Sequence, residues 1–129
     1  FLSGDAAQAE GTIEIGGPAV EGLYCTSHFD VDGATSPAGR EYVEQYRQAY
    51  GKAPEGLSAP CHDGYLILLD AIARAGSTDP EAIVAALETT RDFPGVCGAT
   101  SIVDHDAVKP AVILQVKQGR FQYVTTVNP

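Results

Sequence analysis

The middle of the chain, residues 36–90, carries three helix patterns in succession with no strand pattern between them. In the first pattern Ser36 is a suitable N-cap, Pro37 stands at the first helical position, and Gly51 stands where a C-terminal glycine belongs. Apolar side chains recur within it at helical spacing and form one stripe: Tyr42, Val43, Tyr46 and Tyr50. Any fold of this chain must therefore place three successive helices against apolar partners.

The second helix pattern is the strongest of the three. We expect Ser58 to cap it, because Pro60 then lies in the first turn, where a missing N–H costs nothing, and we expect Gly76 to end it. Its apolar residues form one wide face: Tyr65, Leu66, Leu68, Leu69 and Ile72.

The third helix pattern has two possible starts. Thr78 and Glu81 have capping-box spacing, whereas Asp79 ahead of Pro80 is an alternative N-cap. The side chains that we expect on its buried face are Ile83, Val84 and Leu87.

Strand patterns flank the helices on both sides. Residues 1–5 are typical of a short strand that ends in a turn, and residues 23–28 alternate between two faces. Residues 6–22 between them are rich in small side chains and predict a loop with one weak helical turn.

The last third of the chain is rich in strand formers. Residues 104–107 can turn between two of its strands, and Gln118 and Gly119 can form the tight turn of a final hairpin. The sequence therefore predicts an α/β fold in which three helices are flanked by strands.

The charge balance excludes several function classes. The chain has 129 residues and a net charge of -9, with eight basic residues among seventeen acidic ones. Binding to nucleic acid or to an anionic membrane surface relies on clustered lysine and arginine, so we expect no nucleic-acid partner. No apolar run approaches the roughly 20 residues that a membrane helix needs.

Cys61, His62 and Asp63 place a thiol, an imidazole and a carboxylate in consecutive positions. Neighbours on a helix point about 100° apart, so these groups do not form a catalytic set by themselves, and a thiol nucleophile would need His28 or His105 as its base. We predict no catalytic residue. Instead, Asp63 supports the helix start, Cys61 packs as a small apolar residue or forms a disulfide, and His62 faces a surface or groove.

Metal ligands and cofactor motifs are equally unsupported. No CxxC, HxxxH or HxH spacing occurs, and "DVDGATS" begins like a calcium loop but lacks its later acidic ligands. We therefore predict no metal site and no cofactor. The three cysteines, Cys25, Cys61 and Cys97, allow one disulfide in three pairings, or all three are reduced in a cytosolic protein.

The order of segments resembles a known family. "GGPAVEGLYCTSHF", the "YG..P" end of the first helix, "AIARAGSTDPEAIVAAL", and "GVCG" followed by "VKQGRF" look like the C-terminal third of the type I periplasmic solute-binding proteins of ABC transporters. These are the branched-chain amino acid receptors, similar to Leu/Ile/Val-binding proteins, and their relatives that bind amides and aromatic acids. The resemblance covers essentially all 129 residues.

The resemblance implies a fold of two α/β lobes around a cleft, joined by three crossing segments, of which this chain is a fragment. Residues 1–27 and 95–129 would belong to the C-terminal lobe, and the helices within 30–92 would pack on the N-terminal lobe. We therefore expect an N-terminal portion that is absent from this chain, as a separate chain, a cleaved piece or a partner in a swapped dimer.

The resemblance also suggests ligand contacts. From its type alone, Asp5 in a turn after a short strand is more often simply solvated, but amino-acid-binding members of the family carry an acid in the same turn that takes the ligand's ammonium. Leu57 falls near a position where the family places an apolar or aromatic ligand contact. His62 replaces the Tyr of the family's "GYDA" and would edge the cleft.

The function implied is that of a non-enzymatic receptor. It would bind an amino acid or a related organic acid or amide in the periplasm or outside the cell, and deliver it to an ABC permease. Two alternatives stay open. One is a ligand-sensing regulatory module on the same fold, and the other is a thiol-dependent hydrolase.

Overall fold

The computed structural model describes residues 1–34 and 36–129. Their helices are α1 (Glu10–Gly16), α2 (Pro37–Tyr50), α3 (Ser58–Ala75) and α4 (Pro80–Glu88). Their strands are β1 (Leu2–Ser3), β2 (Tyr24–Ser27), β3 (Phe93–Gly95), β4 (Gly98–Val103), β5 (Asp106–Val108), β6 (Ala111–Lys117) and β7 (Arg120–Val127). The predicted α/β class is confirmed. Helix α1 adds one helix to the three predicted, in the segment where one weak helical turn was expected.

A four-stranded sheet joins the two ends of the chain in the order β1-β2-β6-β7, with β1 parallel to β2 and the other pairs antiparallel. The alternation predicted for residues 23–28 is confirmed, since Leu23, Cys25 and Ser27 are buried while the side chains between them are exposed. Cys25 lies opposite Leu114 in the ladder, and both are buried in the core of this sheet.

Both turns predicted in the last third are present. Gln118 and Gly119 have φ values of 54° and 69°, as the two central residues of a type I′ hairpin turn require. The carboxylate of Glu21 accepts a hydrogen bond from the Gln118 N–H at 2.9 Å and so ties this turn to the end of the β1–β2 connection. Asp104 and His105, with φ values of 49° and 67°, turn the chain between β4 and β5.

The three-stranded antiparallel sheet β3-β4-β5 packs with the helices. A buried cluster joins the two: Phe29, Val43, Ala59, Val96 and Cys97. Asp63 is only 4% exposed, and its carboxylate accepts hydrogen bonds from the backbone N–H groups of Val96 at 2.7 Å and Cys97 at 2.9 Å. The prediction that Asp63 supports the helix start is therefore wrong. It holds the β3–β4 turn against α3.

Helix α2 follows its prediction closely. The Ser36 hydroxyl accepts a hydrogen bond from the Gly39 N–H at 2.9 Å, Pro37 opens the helix, and Gly51 ends it in the left-handed conformation. Of the predicted apolar stripe, Val43 is buried, whereas Tyr50 at the end is exposed.

Helix α3 differs from its prediction at its start and on its face. Ser58 is already helical and donates its hydroxyl to the Glu55 carbonyl, so it does not cap the helix. The buried residues repeat every four positions: Ala59, Asp63, Ile67 and Ala71. The predicted apolar face remains largely open, with Tyr65, Leu68 and Leu69 exposed. Gly76 ends the helix as expected.

Helix α4 begins at the second of its two predicted starts. The Asp79 carboxylate accepts hydrogen bonds from the Glu81 and Ala82 N–H groups at 3.0 and 3.1 Å. The predicted buried face is only partly covered, because Val84 is 52% exposed. None of the helices in the described residues is both long and apolar enough to cross a membrane.

Candidate ligand-binding site

Asp5 and His28 meet at one edge of the four-stranded sheet. Each follows one of the two parallel strands, β1 and β2, whose carboxyl ends lie side by side. The edge beyond the carboxyl ends of parallel strands is where α/β proteins bind ligands. His28 Nε2 lies 2.9 Å from Asp5 Oδ2, and the other carboxylate oxygen, Oδ1, accepts the Ala6 N–H at 3.0 Å. Both side chains are partly open, His28 at 39% and Asp5 at 48%.

Gln8 brings the start of α3 to the same edge. The Ser27 hydroxyl at the end of β2 donates to Gln8 Oε1. Gly56 packs against that same amide so closely that a Cβ at Gly56 would overlap Gln8 Oε1. The loop before α3 thus approaches the Gln8 amide closely at Gly56, and the next residue, Leu57, lies beside the cleft.

A cleft of about 700 Å³ opens between these segments. Leu57 lines it and is 64% exposed, so its side chain is available for contact. The other lining residues come from the residues just before α1, α1 itself, the β2–α2 connection, the loop before α3 and the final hairpin: Gln8, Ala9, Ile13, Glu14, Phe29, Asp30, Val31, Pro54, Glu55, Gly56, Gly119, Arg120 and Phe121.

His62 lies on the first turns of α3 and packs its ring on Tyr42, with centroids 4.9 Å apart. Tyr42 in turn contacts Phe29 edge to face at 5.9 Å. The three predicted site residues, Asp5, His62 and Leu57, each lie near a different residue of the β2–α2 connection. His28 bonds to Asp5, Phe29 supports Tyr42 beneath His62, and Val31 lines the cleft with Leu57.

A smaller cavity of about 300 Å³ also borders this connection. His28 and Asp30 line it together with residues of the β3–β4 turn and of β7. Burial raises the pKa of Asp30, and the nearby Asp32 adds to that effect, while backbone N–H groups from Asp32 and Gly33 oppose it. Sequence reasoning missed the hydrogen bonds of His28 and Gln8 and the position of Asp30 at the smaller cavity. The available signal was that His28 follows β2 as Asp5 follows β1, but only the parallel pairing makes them neighbours.

The cysteines are free thiols, and the expectation that Cys61 is packed or disulfide-linked is wrong, because Cys61 is exposed on α3. Cys25 and Cys97 are buried in the cores of the two sheets. Burial, followed by the nearby Asp63 carboxylate, raises the pKa of Cys97 to about 12, and burial also raises that of Cys25. No three His, Cys, Asp or Glu side chains within residues 1–34 and 36–129 cluster closely enough to hold a metal ion.

The structure is an α/β fold in which Asp5 and His28 stand at the carboxyl edge of the four-stranded sheet, while Leu57 lines the larger cleft; Asp5, His28 and His62 are not among the residues that line that cleft. Residues 2–120 match the family described as "Periplasmic binding protein", and the chain belongs to that family.

The relatives agree with this assignment and are longer. A Leu/Ile/Val-binding protein homolog 2 of Brucella abortus (strain 2308) is 31% identical over 121 residues, which are 92% of this chain and 32% of that protein. A Leu/Ile/Val-binding protein homolog 1 of Brucella suis biovar 1 (strain 1330) is 34% identical over 129 residues, 96% of this chain and 34% of that protein. The chain thus spans about a third of the length of these relatives.

Solved structures match nearly the whole chain. The crystal structure of a leucine binding protein from Thermotoga maritima MSB8 is 44% identical with a TM-score of 0.91, covering 99% of this chain and 37% of that one. The branched-chain amino acid transporter substrate binding protein of Streptococcus pneumoniae, solved in complex with isoleucine, is 25% identical with a TM-score of 0.84 and the same coverage. The predicted family and fold are confirmed.

Proposed function

We propose that this chain is the C-terminal part of an extracytoplasmic solute receptor that binds an amino acid and delivers it to an ABC permease. The observation that carries the proposal is the Asp5–His28 pair at the carboxyl edge of the sheet, where His28 also lines the smaller cavity, in a chain that belongs to the periplasmic binding protein family. The receptor acts by binding and movement rather than by catalysis.

Asp5 supplies the contact to the ligand's ammonium group. A carboxylate is the appropriate partner, because a cation withdrawn from water needs a charged, hydrogen-bonded acceptor. Leu57 supplies an apolar contact for the ligand side chain from the wall of the cleft, and His62 forms part of the edge above Tyr42. Leucine and isoleucine are suitable first ligands, since proteins similar to this chain are described as binding them.

The two lobes of the receptor each take part of this chain. The sequence assigned residues 1–27 and 95–129 to the C-terminal lobe and the helices within 30–92 to the N-terminal lobe; we propose the same division, except that the second C-terminal range begins after Pro110. The four-stranded sheet supports the first assignment. The backbone N–H groups of Val96 and Cys97 donate to the Asp63 carboxylate on α3, which favours placing residues 95–109 with the helices and the return crossing close to Pro110.

An N-terminal portion outside this chain completes the N-terminal lobe. The exposed apolar residues on α3 support this, because Tyr65, Leu68 and Leu69 would otherwise remain in water. The relatives are also about three times as long as the matched segment.

Ligand capture proceeds by closure of the two lobes. Contacts made by both lobes exist only in the closed state, so a ligand that makes them shifts the population towards that state. The β2–α2 connection is suited to this motion, since it touches Asp5, the cleft and the smaller cavity.

A second function, a ligand-sensing regulatory module, has one observation in its favour. All three cysteines are free thiols, as in a protein kept in a reducing compartment. Cell fractionation would distinguish the two functions, because only the transport receptor needs to leave the cytoplasm. Export of the protein would favour the receptor, and retention in the cytoplasm would favour the regulatory module.

Thermal unfolding of the protein that carries both this chain and the N-terminal portion tests the receptor function. L-leucine and L-isoleucine should raise the melting temperature in proportion to the logarithm of their concentration. Asp5→Asn should remove this shift, whereas Glu44→Gln on the exposed face of α2 should keep it. A leucine shift that survives Asp5→Asn would refute the ammonium contact, and no shift with any amino acid would refute the ligand class.

A further inference from the structure

His28 is an unassigned neighbour of the proposed ammonium contact. Its Nε2 is 2.9 Å from Asp5 Oδ2, while Oδ1 of the same carboxylate takes the Ala6 N–H at 3.0 Å. A carboxylate has about four lone-pair directions, so two acceptor directions of Asp5 stay available to a ligand. Because Asp5 is 48% exposed, those directions can be reached from solvent.

The groups around His28 come from several parts of the fold. Asp5 approaches from the turn after β1, and Asp30 follows on the same connection. Cys97 and Tyr123 line the smaller cavity from the β3–β4 turn and from β7. Of these groups, Asp5 is the one that is hydrogen-bonded to the His28 imidazole.

We propose that His28 controls the affinity of Asp5 for amine-bearing ligands, and that its protonation weakens their capture. This inference rests on the receptor function proposed above and adds a regulatory residue to the same site. A neutral imidazole donates Nε2–H to Oδ2 and orients the carboxylate for a ligand ammonium. A protonated imidazole forms an ion pair with the same carboxylate and repels a second cation beside it.

The direction of the pH dependence follows from this competition. The ammonium-bound state favours neutral His28, so it binds fewer protons than the free state, and affinity must rise with pH. A ligand with a carboxylate and no amine carries no competing cation, so protonation of His28 does not weaken its binding.

Isothermal titration between about pH 5.5 and pH 8.5 tests this on the protein that includes the N-terminal portion, with L-leucine and with isocaproate, its analogue without the amine. We expect leucine to bind about fivefold more weakly at the acidic end, as suits a partly exposed ion pair, and isocaproate to show no such loss. His28→Gln, with His28→Asn as a second variant, should flatten the leucine profile. The matched control is His105→Gln, which removes a histidine paired with Glu88 at 2.8 Å on the exposed surface and should keep the wild-type profile.

The possible outcomes distinguish failure of the His28 role from failure of the proposed receptor function. Leucine binding whose pH profile is the same in wild type and in both His28 variants would overturn the role of His28 and leave the receptor function standing. An equal acidic loss for isocaproate would also overturn it, since no ammonium is involved. Absence of leucine binding at every pH would overturn the proposed ligand class and this inference together.

Discussion

Asp63 in helix α3 accepts a hydrogen bond from the backbone N–H of Val96 at 2.7 Å, across 33 residues of sequence. Its second oxygen takes the Cys97 N–H at 2.9 Å, and Gly95 leaves the carboxylate room, because a Cβ there would lie 2.6 Å from Asp63 Oδ2. One buried carboxylate thus joins the helical part of the chain to the small sheet, and it positions the loop that lines the cavity behind His28.

Asp63→Asn should destabilise the protein by about 2 kcal/mol, since an amide can accept from only one side and leaves one buried N–H without its partner. The change should appear as a lower midpoint of urea unfolding with an unchanged slope. Asp70→Asn is the matched control. It loses a half-exposed i,i+4 contact with Arg74 and should cost about 0.5 kcal/mol or less. Equal effects of the two substitutions would contradict the role given to Asp63.

Thiol reactivity should distinguish the three cysteines in the folded state. Cys61 is exposed, whereas Cys25 and Cys97 are buried and carry raised pKa values. Because the thiolate is the reactive form, iodoacetamide at about pH 8 should modify Cys61 alone, and all three only after denaturation. Peptide mass mapping measures this, and rapid native labelling of Cys97 would contradict the packing described.

The same thiol predicts a loss of stability in alkali. The pKa of Cys97 is raised from 9.0 to about 12 in the folded state, so above about pH 9 the unfolded state loses its proton first. The Cys97 contribution is therefore fully present below pH 9 and is lost as the pH rises towards 12. Cys97→Ala should flatten this part of the stability profile, measured by urea unfolding, relative to Cys61→Ala.

Leu57→Ala should lower leucine affinity about three- to tenfold, because a partly buried leucine contact is worth about 1 kcal/mol or somewhat more. The stability of the free protein should change little, since Leu57 is 64% exposed. Val84→Ala on α4 is the control of similar exposure, and an equal loss of affinity there would remove Leu57 from the site.

His62→Ala should lower leucine affinity less than Leu57→Ala does, through loss of the ring contact with Tyr42.

The final hairpin offers a stabilising substitution. Gln118 has φ 54°, a conformation that asparagine adopts more readily, and asparagine followed by glycine is the preferred type I′ pair. Gln118→Asn should stabilise the protein by about 0.5 kcal/mol, whereas Gly119→Ala at φ 69° should destabilise it by about 1 kcal/mol. Thermal unfolding of the two variants should shift in opposite directions.

Much of the fold could be predicted because its signals are local. The cap at Ser36, the ends at Gly51 and Gly76, the alternation through Cys25 and the turn at Gln118 each depend on neighbouring residues. Where the local sequence pattern gave the wrong buried face, packing against residues distant in the sequence determined which side chains are buried. Leu68 and Leu69 have the spacing of a buried face, but the interior side of α3 is the row that contains Ile67 and Ala71.

The sequence by itself determined the three long helices between flanking strands, the family resemblance and the acidic residue at the turn after β1. Only the tertiary structure decided which side chains work together, because the contacts that matter join residues far apart in the chain. Asp5 meets His28 across 23 residues, through the parallel pairing of two short strands, and Asp63 meets Val96 across 33. Sequence periodicity describes one element at a time, whereas a hydrogen bond between elements depends on how they pack.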